Sequence, residues 1–202
     1  MHPSAIFHEN DEDRLAAPVC ERGFAVLIAA VDDRPLVAHT PVIWSPGRLR
    51  FHLSAANPLC AVLRASRQAM AVVSGPDAYV RPDWYAAADQ VPTWNYVSVE
   101  MEGAVRVMSG DETVALLDDL SAHFEARLTP KPPWTRAKMS PARFETLLGA
   151  ITGFEMSLER MIGTAKLSQN KPAAQIARVA AALAERPDEG SQLIAEAMAR
   201  TG

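Results

Sequence analysis

Residues 76–85 read Pro-Asp-Ala-Tyr-Val-Arg-Pro-Asp-Trp-Tyr, and after a short spacer residues 91–96 read Val-Pro-Thr-Trp-Asn-Tyr. All three tyrosines of the chain and two of its four tryptophans lie in these twenty-one positions, called the aromatic segment below. Aromatic rings provide large contact areas, and prolines fix the backbone and interrupt strands and helices. A core strand favours aliphatic residues over this mixture. The aromatic segment is therefore predicted to form a ligand-binding wall, a subunit interface, or both.

The sequence before the aromatic segment predicts an antiparallel meander of three strands. An apolar run at residues 24–31 is bounded by turn residues, which is typical of a buried strand. Residues 36–44 predict a second strand, in which Pro41 marks a sheet edge or a bulge. Residues 48–53 alternate as Arg-Leu-Arg-Phe-His-Leu and predict a third strand with one wet and one dry face.

Helices and further strands alternate along the rest of the chain. Strands are predicted at 69–74, 95–108 and 151–166, and Gly103 is expected to allow a bulge or a close approach. An acidic cluster at 10–13 predicts a short first helix, interrupted by Pro18 and ended by Gly23. Further helices are predicted at 58–66, 110–126 and 141–148, each after a capping residue. From Pro172 the chain is rich in alanine and predicts two more helices.

This order of elements favours an α+β protein, mainly β, built on an antiparallel barrel with peripheral helices. The predicted organisation is one barrel domain at 1–171 and a helical C-terminal extension at 172–202. The chain has 202 residues, 49% of them hydrophobic, and a net charge of −4. An acidic balance argues against direct DNA binding, because contacts to phosphate require a basic surface.

Cys20 and Cys60 have no metal-ligand spacing, so both are expected to be reduced thiols. No leader peptide and no apolar run of membrane-span length is evident, so the protein is expected in the cytoplasm, without a membrane partner. The five histidines show no metal spacing, and no nucleotide-binding loop, nucleophile elbow or metalloprotease motif is present. The sequence therefore predicts no metal site and no catalytic residue.

Two polar stretches are candidates for binding an anion. His52, Ser54 and Asn57 lie at a strand-to-helix junction, where free N–H groups and a helix N-terminus suit a phosphate. The alternative is an ordinary capped helix. Lys166 and Ser168 lie in a polar, basic stretch after the last strand, for which the alternative is a solvated loop before a helix.

Taken in order, several motifs resemble those of the PaiB-type FMN-binding negative transcriptional regulators. The resemblance is carried by PDAY at 76–79, WY at 84–85, VPTWNY at 91–96 and KLSQN at 166–170, with HTP at 39–41 and GFE at 153–155 in support. His52 and the Asn57-Pro58 pair fit the same pattern, which covers residues 6–171.

The resemblance implies a split β-barrel whose homodimer binds FMN in the groove between two subunits, and a regulatory rather than enzymatic role. It places His52, Ser54 and Asn57 at the FMN phosphate, helped by Lys166 or Ser168. Three further residues of the aromatic segment border the ring system from the subunit interface, namely Trp94, Asn95 and Tyr96.

The chain departs from the family pattern at three positions near the predicted phosphate. Ala55 replaces an arginine, Cys60 an aromatic residue and Glu100 a histidine. Loss of an arginine removes a permanently charged, bidentate donor. Two alternatives therefore stay open beside the FMN-binding regulator: a flavin-dependent reductase or oxidase of the split-barrel group, and an interaction protein that has kept the fold without a cofactor. No acid, base or nicotinamide motif supports the enzyme.

Overall fold

A computed structural model describes residues 2–66 and 68–201 of the chain. Within those residues, seven strands are formed: β1 (His8–Glu9), β2 (Phe24–Val31), β3 (Arg34–Ser45), β4 (Arg48–Ser54), β5 (Gln68–Val80), β6 (Thr93–Val107) and β7 (Ile151–Lys166). Six α-helices accompany them: α1 (Glu12–Arg22), α2 (Pro58–Ser66), α3 (Gly110–Glu125), α4 (Pro141–Leu148), α5 (Ala173–Ala184) and α6 (Glu189–Thr201).

The strands form one sheet whose hydrogen bonding closes on itself. The strand order is β1-β7-β4-β3-β2-β5-β6, and β6 also pairs with β7. The β2–β3, β3–β4, β2–β5, β4–β7 and β1–β7 pairs are antiparallel. The predicted α+β class, mainly β and built on a closed antiparallel sheet, is confirmed.

The predicted meander corresponds to β2, β3 and β4. Buried and exposed residues alternate in β4 as predicted. In β4 the side chains of Leu49, Phe51 and Leu53 are buried, whereas the residues between them are partly exposed. At Pro41, β3 is paired with β2, whereas its pairing with β4 begins at the next residue, Val42, so the edge or bulge predicted at Pro41 stays a prediction. Pro41 pairs with Phe24 at the first position of β2, and the next residue, Val42, supplies the N–H that bonds to the carbonyl of Gly23.

Two predicted boundaries differ from the structure. Helix α1 continues through Pro18 to Arg22, and Gly23 then takes the left-handed conformation that ends it. Burial of Leu15 and Val19 holds the helix together although proline lacks an N–H. Strand β5 extends to Val80 instead of ending at residue 74, so the start of the aromatic segment is a strand.

The chain divides into two compact units. The first comprises the residues up to Pro18, Ser74–Glu100 and the residues from Ile162 onward; the second comprises Val19–Val73 and Met101–Met161. The division of the chain into a domain at 1–171 and an extension at 172–202 stays a prediction.

Each unit has its own hydrophobic core. In the first unit α5 and α6 pack against the aromatic segment through Val179, Leu183 and Ile194, which contact a cluster that includes Val80 and Tyr85. The second unit is centred on buried residues of β4 and β7. There the rings of Phe51 and Phe154 stack with centroids 5.5 Å apart.

Candidate functional site

The second unit contains a cavity of about 550 Å³ beside β4, α3 and α4. This volume is in the usual range for small-molecule sites. Its walls are largely apolar and include Leu117, Leu120, Phe124, Phe144, Leu147 and Ile151. The cavity is called the α3–α4 cavity below.

Local sequence explains why α3 and α4 present these side chains. Helix α3 begins with a capping box, in which the Ser109 hydroxyl accepts from the N–H of Glu112 and the Glu112 carboxylate accepts from the N–H of Ser109. From that fixed start, Leu117, Leu120 and Phe124 follow at helical spacing and fall on one face. Helix α4 begins at Pro141, a position where the missing N–H of proline costs nothing.

His52 and Ser54 line the cavity from β4. The Nδ1 atom of His52 is buried and has no hydrogen-bond partner among the described residues. Burial lowers the pKa of His52, because a charged imidazolium would lose its hydration there. The ring is therefore neutral, and its Nδ1 atom can donate or accept a hydrogen bond, depending on the tautomer. The Ser54 hydroxyl oxygen accepts from the N–H of Ala56 at 3.3 Å and keeps its own hydrogen for another acceptor.

Charged groups at the cavity are already paired. Arg136 Nε lies 3.0 Å from Asp118 Oδ1, and its guanidinium carbon lies 5.6 Å from the centroid of the Phe144 ring. The Glu125 carboxylate accepts a hydrogen bond of 2.8 Å from the backbone N–H of Trp134. Each of these residues lines the cavity, so its lining carries two carboxylates and one guanidinium.

In the strand-to-helix junction that follows β4, the backbone N–H groups already have acceptors within the chain. Asn57 Oδ1 caps α2 by accepting from the N–H of Leu59 at 2.9 Å. The other backbone N–H groups between Ala55 and Cys60 bond to the Ala150 carbonyl, the Ser54 hydroxyl, the Ser54 carbonyl and the Asn57 carbonyl. Pro58 has no N–H. A phosphate at this junction would therefore meet the Ser54 hydroxyl and the His52 ring, not free backbone donors.

The first unit contains a smaller groove of about 280 Å³, lined by residues of β5 and β6 that include Asp77, Trp94, Tyr96 and Ser98. Trp94 is 53% exposed. Its ring meets that of Tyr79 edge to face, with centroids 6.1 Å apart. The groove, together with this exposed pair of rings, is called the Trp94 groove below.

Lys166 does not line this groove, but its side chain contacts the backbone of Trp94, which does. Its ammonium donates to Thr93 Oγ1 and, at 2.6 Å, to the carbonyl oxygen of Trp94. Burial lowers the pKa of Lys166. An ammonium has three N–H donors, so one remains for an anion held next to Trp94.

Asn95 and Ser168 face the interior rather than the groove. Asn95 is fully buried, and its amide donates to the Ser168 hydroxyl at 3.1 Å. The Ser168 hydroxyl also lies 2.9 Å from the phenol oxygen of Tyr85. These contacts join the aromatic segment to the loop after β7 and leave little of either side chain for a ligand.

The eight predicted site residues thus fall into two groups. The first unit brings together Trp94, Asn95, Tyr96, Lys166 and Ser168. The second brings together His52, Ser54 and Asn57. Their role in binding FMN stays a prediction. Sequence reasoning missed Arg136, Phe144 and Leu147. Helices were predicted at the positions of α3 and α4, but nothing local in the sequence distinguishes a helix face that lines a cavity from one that packs in the core.

Among the described residues, no group of three or more His, Cys, Asp and Glu side chains is placed to hold a metal ion. No helix in the described part of the chain is both long enough and apolar enough to span a membrane.

Comparison with known proteins gives consistent sequence matches. A family model described as "Putative FMN-binding domain" matches residues 1–160. The "Protease synthase and sporulation protein PAI 2" of Bacillus subtilis is 27% identical over 202 residues, covering 98% of this chain and 96% of that protein. An uncharacterized protein of Aspergillus fumigatus is 31% identical over 160 residues, covering 62% of this chain and 61% of that protein.

Solved structures share the fold. The FAD and heme binding protein of Mycobacterium smegmatis aligns with a TM-score of 0.62 at 17% identity, covering 84% of this chain and 78% of that one. The flavocytochrome Anf3 of Azotobacter vinelandii aligns with a TM-score of 0.59 at 15% identity, covering 88% and 78%. At these identities the likeness establishes the fold alone, and the predicted split-barrel fold is confirmed.

Proposed function

The chain belongs to the family of FMN-binding domains whose model matches residues 1–160, and from this we propose that it is a homodimeric, cytoplasmic FMN-binding negative regulator of transcription. The family assignment confirms the resemblance seen in the sequence, and FMN is the cofactor that the family description names. The regulatory role is suggested by the Bacillus subtilis relative, a sporulation protein by name.

One observation carries the proposal of flavin binding. Lys166 directs its ammonium at the carbonyl of Trp94, whose indole is 53% exposed and has Tyr96 beside it in the same groove. An exposed aromatic wall suits the flat ring system of a flavin, and an adjacent cation suits its phosphate. The Trp94 groove would thus offer a wall for the ring system, and the adjacent Lys166 a cation for the phosphate.

His52 and Ser54 supply the second half of the proposed site. In the part of the chain that the structure describes, the buried Nδ1 of His52 has no partner, and the Ser54 hydroxyl has a hydrogen left to donate. In the proposed homodimer, these two side chains face the FMN phosphate, helped by Lys166, and Trp94 borders the ring system from the subunit interface. Asn57, Asn95 and Ser168 hold the surrounding backbone through the contacts already described.

A flavin titration tests this function. Purified protein should quench FMN fluorescence with saturation at one FMN per chain, and it should elute at twice the chain mass of 21.9 kDa. Trp94→Ala should weaken FMN binding, whereas Trp134→Ala, a tryptophan outside the Trp94 groove, should leave the affinity as in wild type. Absence of any FMN affinity would refute the cofactor assignment.

The regulatory role has a separate test. Deletion of the gene should raise the transcripts of a defined set of genes, and a copy encoding wild-type protein should lower them again. The net charge of −4 argues that the chain does not bind DNA through its own surface. A mobility-shift assay with the upstream regions should therefore show no complex for the purified protein alone.

The paired N–H groups of the junction favour a second candidate, an interaction protein that has kept the fold without a cofactor. With Ala55 in place of an arginine, each backbone donor there already has an acceptor inside the chain. In that case the Trp94 groove is subunit interface only. Trp94→Ala would then dissociate the homodimer, and neither wild type nor variant would bind FMN.

A further inference from the structure

We propose that the outer face of β2, β3 and β5 is the surface through which two copies of this chain meet. This inference rests on the proposed homodimer and names the part of the chain that forms its interface. The surface is called the β2–β5 face below, and its residues are Phe24, Val26, Ile28, Val37, His39, Met70 and Val72. All of them belong to the second unit.

The strands that form the β2–β5 face carry apolar side chains on both sides. Successive residues of a strand point to opposite faces of the sheet. One set is buried in the core and includes Ala25, Leu27, Ala29, Ala38, Ala71 and Val73. In the other set, Phe24 is 42% exposed and Val37 is 53% exposed. Strands that are apolar on both sides are typical of sheets covered on both faces, so the β2–β5 face has the composition of a surface that a partner covers.

The side chains of the β2–β5 face lie in rows across the three strands, without any Asp, Glu, Lys or Arg among them. Direct pairing aligns Val37, Ile28 and Met70 in one row and His39, Val26 and Val72 in the next. The ring of Phe24 extends the patch, because it stacks beside the ring of His39 with centroids 6.5 Å apart. Contiguous exposed apolar patches mark interaction sites.

The charge of the chain favours a second copy as the partner. Each copy has a net charge of −4, so two copies repel one another and meet most readily where neither presents a charge. An uncharged face offers no cation to the phosphates of a nucleic acid. Rows of apolar side chains are instead complementary to themselves, as the interface of a two-fold dimer requires.

Strand β5 connects the β2–β5 face with the flavin site of the proposed function. After Val72 the strand continues through Ser74, Gly75 and Asp77, which line the Trp94 groove. The proposed homodimer has Trp94 at the subunit interface. One strand therefore carries both surfaces, and the β2–β5 face supplies the apolar contact area between the subunits.

A charge placed on the β2–β5 face tests whether a partner covers it. Val37→Glu changes a residue that is 53% exposed, so the subunit should keep its fold, as far-ultraviolet circular dichroism can verify. Sedimentation equilibrium should show dimerisation weakened at least about a hundredfold, because the carboxylate loses its hydration in an apolar interface. The control is Leu128→Glu, which adds the same charge at a residue that is 60% exposed and outside the face. A folded Val37→Glu variant with the dimer affinity of wild type would overturn the proposal.

A mixture of two charge variants tests whether the face meets its own copy. Val37→Lys should be as monomeric as Val37→Glu. Mixed in equal amounts, the two variants should form a heterodimer, since opposite charges then lie in one interface. Native mass spectrometry identifies the mixed species. Two monomeric variants that do not associate with each other would place the partner's contact on a different surface and would overturn the proposal.

The interface and the flavin assignment can fail separately. If Val37→Glu dissociates the wild-type dimer but neither protein binds FMN, the proposed cofactor is refuted and the interface stands. If wild type binds FMN as a monomer, or Val37→Glu binds FMN and stays dimeric, the interface is refuted and the cofactor assignment stands.

Discussion

The side-chain amide of Asn95 donates a hydrogen bond of 3.1 Å to the hydroxyl of Ser168, seventy-three positions later in the chain. Both side chains are buried, and the phenol oxygen of Tyr85 lies 2.9 Å from the same hydroxyl. The amide of Asn95 also lies 3.5 Å from the sulfur of Met198 in α6. Three of the motifs that identify the family in the sequence are thus joined by one buried network, so part of that pattern maintains the fold rather than binding a ligand.

Replacement of Asn95 by alanine should therefore destabilise the protein. The change removes the hydrogen bond from Asn95 to the buried Ser168 hydroxyl, and loss of a buried hydrogen-bond partner costs about 1–3 kcal/mol. Urea denaturation measures the loss in the free energy of unfolding. Asn170→Ala is the control, because Asn170 is exposed in the same loop and should change stability by less than about 0.5 kcal/mol. Equal stability of both variants would contradict the structural role.

Gly103 in β6 should not tolerate a side chain. A Cβ atom there would lie 1.9 Å from the carbonyl oxygen of Ser157, which is backbone and cannot move aside alone. We expect Gly103→Ala to lower the free energy of unfolding by at least about 1–3 kcal/mol, the usual cost of overpacking. Gly110→Ala is the matched control, since a Cβ there meets no atom within 4 Å. Thermal unfolding of the two variants compares them, and a Gly103→Ala variant as stable as Gly110→Ala would be inconsistent with this close approach.

The sequence predicted features that depend on neighbouring residues. The Asn57-Pro58 pair predicted the start of α2, and α2 begins at Pro58 because Asn57 caps it from one residue away. Gly103 was predicted to allow a close approach, and the strand alternation of β4 indicated which side chains are buried. Each of these signals is local, so one stretch of sequence is sufficient to recognise it.

Features that depend on distant residues were missed. Strand β5 continues to Val80 although Pro76 and Asp77 weaken the strand pattern, because helices α5 and α6 cover Ala78 and Val80. The α3–α4 cavity combines residues of β4, α3 and α4, and no local pattern distinguishes its walls from core. The paired N–H groups of the junction depend in part on Ala150, ninety-five positions after Ala55.

Stability in acid should depend on Glu112. Hydrogen bonds from Arg106 and from the N–H of Ser109 lower the pKa of the Glu112 carboxyl to about 2. A carboxyl whose pKa is lower in the folded state stabilises the protein above its unfolded value of about 4.3, and this contribution is lost as the pH falls toward 2. Urea denaturation between pH 5 and pH 2 should show a steep loss for wild type and a shallower one for Glu112→Gln. Asp111→Asn, in the same helical turn, is the control, and equal slopes in wild type and Glu112→Gln would refute the assignment.

His52 should affect stability at a higher pH. Burial lowers its pKa, so the unfolded chain binds a proton at a pH where the folded chain does not. Above the unfolded pKa of about 6.5, His52 is neutral in both states and costs no stability. As the pH falls below that value, only the unfolded chain gains the proton, so the free energy of unfolding decreases. His52→Gln should therefore lose less stability than wild type between pH 7.5 and pH 5. Ser54→Ala keeps the histidine beside the same cavity and should retain the wild-type dependence; a His52→Gln variant with that same dependence would contradict the assignment.

Lys166 should control the affinity for FMN if the Trp94 groove holds the phosphate. Lys166→Met removes the ammonium and should weaken FMN binding roughly tenfold to a hundredfold, since a hydrogen bond to a charged group contributes about 1.5–3 kcal/mol. Because burial lowers the pKa of Lys166, wild-type affinity should fall with rising pH before an ordinary lysine would titrate, and Lys166→Met should lack that fall. The control is Lys171→Met, whose ammonium instead donates to Gln90 at 2.6 Å. Fluorescence titration from pH 6 to pH 10 measures all three proteins, and a Lys166→Met variant with wild-type affinity would place the phosphate elsewhere.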